Sequence, residues 1–232
     1  MTAIAIAYTP DGFVIGADGR QVNFDGTVVS ENSQKIIEYS ALNVRAAGAW
    51  SGTLQFDDGV SSFDIKTHTL EIAESVKLLE FASAEEYAQT IAGHLFDRFS
   101  GWLNSARGSV GSYTGEVARM ALVGYVNGSP EQSSIFLNCE DGILSLPGIG
   151  SPIDPLSPRL QVFSGNKAVF LSMHALGGSN PCSSLADCRD KIKTYIERCA
   201  NQDDAAGNTI GGHIHIAAAT PQGVLWLVPP AP

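Results

Sequence analysis

Apolar and polar positions alternate from the first residues of the chain. Thr2 to Tyr8 alternates small and larger apolar side chains, Thr9-Pro10-Asp11-Gly12 supplies turn chemistry, and Phe13 to Ala17 resumes an apolar run. A period of two broken by Pro-Asp-Gly predicts a β-hairpin with Thr2 at its free end. Thr27 to Ser30, Lys35 to Tyr39 and Val44 to Ala49 read as three further strands, with small residues crowding the end of the last. The period then changes. Ser83-Ala84-Glu85-Glu86 has a capping-box pattern, and behind it Tyr87, Ile91, Leu95, Phe99, Trp102 and Leu103 recur at helical spacing, predicting an amphipathic helix from about 84 to 104. A second helix follows Ser183 or Ser184, with Leu185, Cys188, Ile192, Tyr195, Ile196 and Cys199 on one stripe.

Two more hairpins are predicted. Apolar runs between Met120 and Cys139 flank the turn Asn127-Gly128-Ser129, and Gly211 to Ala219 and Val224 to Val228 flank Thr220-Pro221-Gln222-Gly223. Two stretches carry no clear period. Ser51 to Thr69, rich in Gly, Asp and Ser, is compatible with a loop, a broken helix or a strand, and Leu144 to Pro158 carries four prolines and should be mostly irregular. Nothing marks a domain boundary or a repeat, so residues 1 to 232 are read as a single domain.

Composition narrows the function classes. At 232 residues the chain can bury a full core, and 44 % hydrophobic with 16 % charged residues is ordinary for a globular protein. No apolar run approaches the length of a bilayer span, and no basic region followed by an apolar stretch opens the chain, so no membrane partner and a cytoplasmic location are expected. The net charge of −10 argues against a nucleic-acid surface, which needs clustered Lys and Arg. The cysteines, Cys139, Cys182, Cys188 and Cys199, form no CxxC pair. Cys188 and Cys199 lie about 16 Å apart if helical, too far for a disulfide, and reduced structural thiols are expected.

The candidate chemistry begins at Thr2. Removal of Met1 would leave a hydroxyl and a free α-amine on one residue, and an α-amine with a pKa of roughly 7.7 to 8.0 can take the hydroxyl proton near neutral pH. Threonine is also a common small residue after an initiator Met, so position alone decides nothing. Asp18 ends the second strand of the hairpin, which folds it back toward Thr2, and Lys35 opens a new strand in Gln34-Lys35-Ile36-Ile37-Glu38. A buried cation beside the hydroxyl lowers its pKa, and an adjacent carboxylate keeps that cation charged and oriented.

These residues carry a resemblance. The run Thr2-Ala3-Ile4-Ala5-Ile6-Ala7, the hairpin to Ile15-Gly16-Ala17-Asp18-Gly19-Arg20, and Lys35-Ile36-Ile37-Glu38 resemble the catalytic β subunits of proteasomes and the bacterial proteasome-like proteases, in the N-terminal nucleophile hydrolase superfamily. The resemblance implies that Thr2 is the nucleophile and that Asp18, the same sixteen residues on, completes the site with Lys35. It implies that Gly48 in Ala46-Ala47-Gly48-Ala49 supplies the oxyanion-hole amide and that Ser164 in Phe163-Ser164-Gly165 helps to hold the terminal amine. The likeness extends to the middle hairpin and to Ile210-Gly211-Gly212-His213-Ile214-His215-Ile216.

Three departures stand out. Lys35 falls one residue later than the family spacing, Phe163 replaces a glycine, and Gly207 and Ile210 stand where an acid and a serine precede the paired glycines, with Asp203 and Asp204 too early to substitute.

The resemblance implies an α+β fold, the four-layer αββα sandwich of two antiparallel sheets covered by helices. It also implies a threonine peptidase that needs no cofactor and no metal, acts on peptides or unfolded protein, and assembles into a homo-oligomeric ring or spiral. Any ATPase partner is not indicated. Two rivals share the fold: an inactive scaffold subunit, which would retain Met1, and a small-amide hydrolase or acyl transferase working as a monomer or dimer. Other motifs carry less. His213 and His215 share a strand face that a metal could use, but no third ligand is tied to them by spacing, which favours a structural role. Gly148-Ile149-Gly150-Ser151 lacks the Lys and helix of a phosphate loop. Trp50 fits the core or a substrate pocket.

Overall fold

The period-two runs become antiparallel strands, and glycine-bearing turns fix their pairing. In the computed structural model, which describes residues 2–22, 27–106, 113–152, 154–175, 180–202 and 209–230, β1 (Ile4–Thr9) and β2 (Gly12–Asp18) form the expected hairpin. Its register runs unbroken from Ile4 opposite Ala17 to Thr9 opposite Gly12. A short pair, β3 (Gln21–Val22) and β4 (Val28–Ser30), precedes β5 (Ile36–Ser40) and β6 (Val44–Gly52).

The stretch from Ser51 to Thr69 combines the alternatives its composition left open. It holds the end of β6, a small hairpin of β7 (Gln55–Asp57) and β8 (Ser62–Asp64), and the first turn of α1 (Ile65–Ser75). Asp64 starts that helix, because its side chain accepts the Thr67 amide at 2.6 Å.

α2 (Ala84–Leu103) begins as the capping pattern predicts: Ser83 Oγ accepts from the Glu86 amide at 3.1 Å. β9 (Gly115–Val126) and β10 (Ser129–Glu140) are longer than the predicted hairpin and turn through Asn127 and Gly128, both at positive φ. The proline-bearing stretch is not wholly irregular. After β11 (Ile143–Leu144), β12 (Gly148–Gly150) fits between Pro147 and Pro152 and pairs with β10. Then come β13 (Gln161–Ser164), α3 (Lys167–Met173), α4 (Leu185–Gln202), β14 (Ile214–Thr220) and β15 (Gly223–Val228). Ser184 caps α4, its hydroxyl accepting from the Asp187 amide at 3.2 Å.

One sheet has the order β13-β1-β2-β14-β15, the other β11-β10-β9-β6-β5 with β12 beside β10. Side-chain alternation assigns each face a partner. Ile4, Ile6, Phe13, Ile15 and Ala17 of the first sheet share an apolar cluster with Ile36, Ala47, Ala49, Ala121 and Val123 of the second, so these faces pack on each other. The opposite face of the first sheet, through Ala3, Ala5, Ala7 and Val14, meets α3 and α4. Those alanines let α4 lie close to the sheet. The opposite face of the second sheet, through Tyr39, Trp50, Met120 and Leu122, meets α1 and α2. The chain is thus a mixed α+β protein built on antiparallel sheets. Among the described residues, no helix is long and apolar enough to cross a membrane.

Candidate active site

The register of the β1–β2 hairpin sets Asp18 against the start of the chain. Ile4 pairs with Ala17, so the next residues out, Ala3 and Asp18, lie side by side: Ala3 N donates to Asp18 Oδ1 at 2.9 Å and Asp18 N donates to Ala3 O at 3.2 Å. β5 approaches from the second sheet and carries Lys35 just before its first residue. Lys35 Nζ donates to Thr2 Oγ1 at 3.1 Å, to Asp18 Oδ1 at 3.1 Å and to Arg20 O at 2.6 Å. Three acceptors use the three N–H bonds of an ammonium. Thr2, Asp18 and Lys35 are all buried.

Asp18 is equally saturated. Beyond Ala3 N and Lys35 it accepts the Arg20 amide at 3.2 Å and the Gly211 amide at 3.1 Å, both on Oδ2. Four donors match the four lone-pair sites of a carboxylate. Burial lowers the pKa of Lys35 below the ordinary lysine value, and the charge and hydrogen bond of Asp18 oppose that shift. The Thr2 hydroxyl oxygen therefore faces a cation, and its own proton is left for another acceptor. Gly211 was not expected here, and its amide holds Asp18 from the segment that precedes β14. Ile210 is buried in the apolar cluster under α4, while Met1, Asp203, Asp204 and Gly207 lie outside the described residues.

Gly48 sits apart from this network. It stands opposite Ile37 on β5 and Leu122 on β9. The amide of Trp50, two residues along, donates to Lys35 O at 3.1 Å, and amides two apart on a strand face the same neighbour, so the Gly48 N–H faces β5. Packing already demands glycine there: a Cβ would lie 2.6 Å from the Tyr39 ring and 3.1 Å from the Met120 sulfur. Ser164 is buried opposite Ile4, two residues from Thr2, and its hydroxyl accepts from Arg119 Nη2 at 3.4 Å. Arg119 escaped sequence reasoning, because only the pairing of distant strands brings it here.

The remaining candidates take structural places. Trp50 is fully buried on the helix side of its sheet, with Nε1 donating to Tyr39 OH at 3.0 Å. His213 Nε2 lies 2.8 Å from Pro229 O and His215 Nε2 lies 3.1 Å from Ser33 O, so carbonyls occupy both rings. Burial, then the neighbouring His213, push the His215 pKa down to about 4 against the opposing Ser33 bond. Among the described residues, no group of three His, Cys, Asp or Glu side chains is placed to hold a metal.

No protein-family model and no curated protein matches the sequence. Solved structures do match its fold. One is the (Gly-1) mutant of Anbu from Hyphomicrobium sp. strain MC1, similar over 94 % of this chain and 81 % of that chain with a TM-score of 0.56 at 12 % identity. At that identity the likeness is one of fold.

Proposed function

We propose that the chain is an N-terminal threonine peptidase of the proteasome-like group of N-terminal nucleophile hydrolases, with Thr2 as nucleophile once the residue before it is removed. The observation that carries this reading is the Lys35 ammonium bonded at once to Thr2 Oγ1 and Asp18 Oδ1 in a buried setting. The fold shared with Anbu supports the superfamily, and the three apolar clusters support an αββα sandwich.

The reaction proposed is amide hydrolysis through an ester. The Thr2 oxygen bonds to the substrate carbonyl carbon while its proton passes to the free α-amine. The C–N bond then breaks as that proton passes to the leaving nitrogen, and water cleaves the ester to release the acid and restore the hydroxyl. Lys35 stabilises the developing negative charge on the oxygen, and Asp18 holds Lys35 in place. Ser164, opposite Ile4, is proposed to help hold the terminal amine of Thr2. Gly48 is assigned the oxyanion on the family resemblance of Ala46-Ala47-Gly48-Ala49, and because its amide faces Ile37, that role requires β5 to part from β6 there. The substrates are peptides or unfolded protein, admitted to the chamber of a homo-oligomeric ring or spiral in the cytoplasm.

The test is hydrolysis of a peptide library followed by native mass measurement. Thr2-dependent cleavage by a large ring or spiral is expected. A monomer or dimer that cleaves small amides but no peptide would overturn the peptidase assignment.

A further inference from the structure

Arg119 lies in the layer between the sheets. It stands on β9 opposite Ser51 on β6 and Phe136 on β10. Opposite residues share a face, and Ala121 and Val123, two and four residues along β9, belong to the inter-sheet cluster. The guanidinium therefore points toward the first sheet, at the end of the layer where Thr2 lies.

The first sheet meets it with a distortion. β1 pairs Ile4 with Ser164 and the next residue, Ala5, with Val162, so Phe163 is the extra residue of a bulge. A bulge re-aims a side chain, and Phe163 packs against the inter-sheet cluster with its ring centroid 5.5 Å from Arg119 Cζ. Arg119 Nη2 donates to Ser164 Oγ at 3.4 Å and Nε to Ser51 Oγ at 3.3 Å. Ser164 pairs with Ile4, two residues from Thr2, so Arg119 meets the first sheet at the Thr2 end of the inter-sheet layer.

The donors of this guanidinium are only partly used. Its single Nε–H is shared between Ser51 and Glu116, whose Oε1 lies at 3.3 Å and whose side chain is 42 % exposed. Nη2 meets one neutral hydroxyl, and Nη1 has no partner among the described residues. Two serines and an aromatic face position the cation, its acidic partner Glu116 is itself 42 % exposed and engages the Nε side, and the Nη side of the fork matches the two oxygens of a second carboxylate.

We infer that Arg119 is a specificity-determining residue which receives the carboxylate of an acidic side chain on the residue whose carbonyl Thr2 attacks. This rests on the threonine peptidase reading above. Glu116 competes with the substrate for the same cation. A purely structural Arg119, tying one sheet to the other, would affect stability without regard to substrate charge.

The test compares kcat/KM for three peptide amides that carry Glu, Gln or Lys before the scissile bond and are otherwise identical. The wild-type chain should prefer Glu over Gln by about tenfold to a hundredfold, the range of a charged hydrogen-bonded pair. Arg119→Gln should bring that ratio toward one, Arg119→Lys should keep part of it, and Glu116→Gln should raise it. Glu116→Gln carries the test if the Arg119 variants do not fold. Equal rates on the Glu and Gln peptides in the wild type, or a ratio unmoved by these substitutions, overturn the inference and leave the peptidase standing. No cleavage of any of the three, with no adduct on Thr2, overturns both.

Discussion

The β1–β2 hairpin has two ends, built on opposite principles. At the turn, Tyr8, Phe13 and Tyr125 close the inter-sheet layer with ring centroids 4.8 and 6.2 Å apart, and Thr9 satisfies its polar groups locally against Gly12 and Asp11. At the free end, the same layer is closed by a threonine, an aspartate and a lysine, all buried. Apolar closure stabilises by removing surface from water. A buried ion pair has to offset the desolvation of two charges and is often no more stable than an apolar replacement. Stability alone therefore explains the turn end and leaves the free end unexplained. What the free end adds is a cation held on a hydroxyl.

The largest expected effect that separates the ends is Asp18→Ala. It leaves Lys35 buried without its counter-ion and two amides, of Ala3 and Gly211, without an acceptor, while the Arg20 amide keeps Gly211 O at 2.8 Å. A loss of about 3 to 5 kcal/mol in urea unfolding is expected, together with loss of activity. Lys35→Met sharpens the point: the buried Asp18 loses its counter-ion but keeps the Ala3, Arg20 and Gly211 amides, so a loss at the lower end of the same range is expected, while cleavage disappears. A Lys35→Met variant that still cleaves peptides would break the contrast between the ends.

Phe13→Ala at the turn end should cost about 3 to 4 kcal/mol as a large-to-small core change. Its folded fraction should keep the kcat of the wild type, because nothing in the Thr2 network touches Phe13. A drop in kcat without a drop in folded fraction would show that the two ends are coupled.

His215 comes next in the size of its effect. Its folded-state pKa of about 4 lies below the unfolded value of roughly 6.5, so the unfolded chain binds more protons between the two. Stability is complete above the unfolded value and is lost as pH falls from about 6.5 to 4, by about 3 kcal/mol in all. Urea midpoints measured across that window should fall, and His215→Gln, whose side-chain amide N–H stands in for Nε2 toward Ser33 O, should flatten the acid limb. The smallest change expected is Glu31→Gln, which removes the half-exposed partner of Arg20 at 3.1 Å and should cost no more than about 1 kcal/mol.

Legibility in the sequence followed the range of the interactions. The hairpin, the capping box at Ser83 and the stripe of α4 are local, and the chain pattern marked them within a residue or two. Thr2, Asp18 and Lys35 could be grouped from sequence because a two-stranded turn returns Asp18 to Thr2, and Lys35 opens the next strand with the cation the chemistry asks for, one residue later than in the family it resembles. The α1 start was hidden because Asp64 lies in a polar stretch whose turn, strand and cap residues look alike. Arg119 and the Gly211 amide were out of reach. Each meets the site through pairing between residues tens of positions apart, and no period along the chain records it. Phe163 looked like a flaw in a family motif; the register shift at Ile4 and Ala5 makes it a bulge with a place beside Arg119.

The central claim is that Thr2, freed of the residue before it, is the nucleophile. Intact-mass measurement of the purified protein before and after a threonine-directed epoxyketone tests it most directly. The account predicts a mass lacking Met1, a single adduct on the wild type, and none on Thr2→Ala. A protein that keeps Met1 and takes up no probe, or an adduct that survives Thr2→Ala, would contradict it.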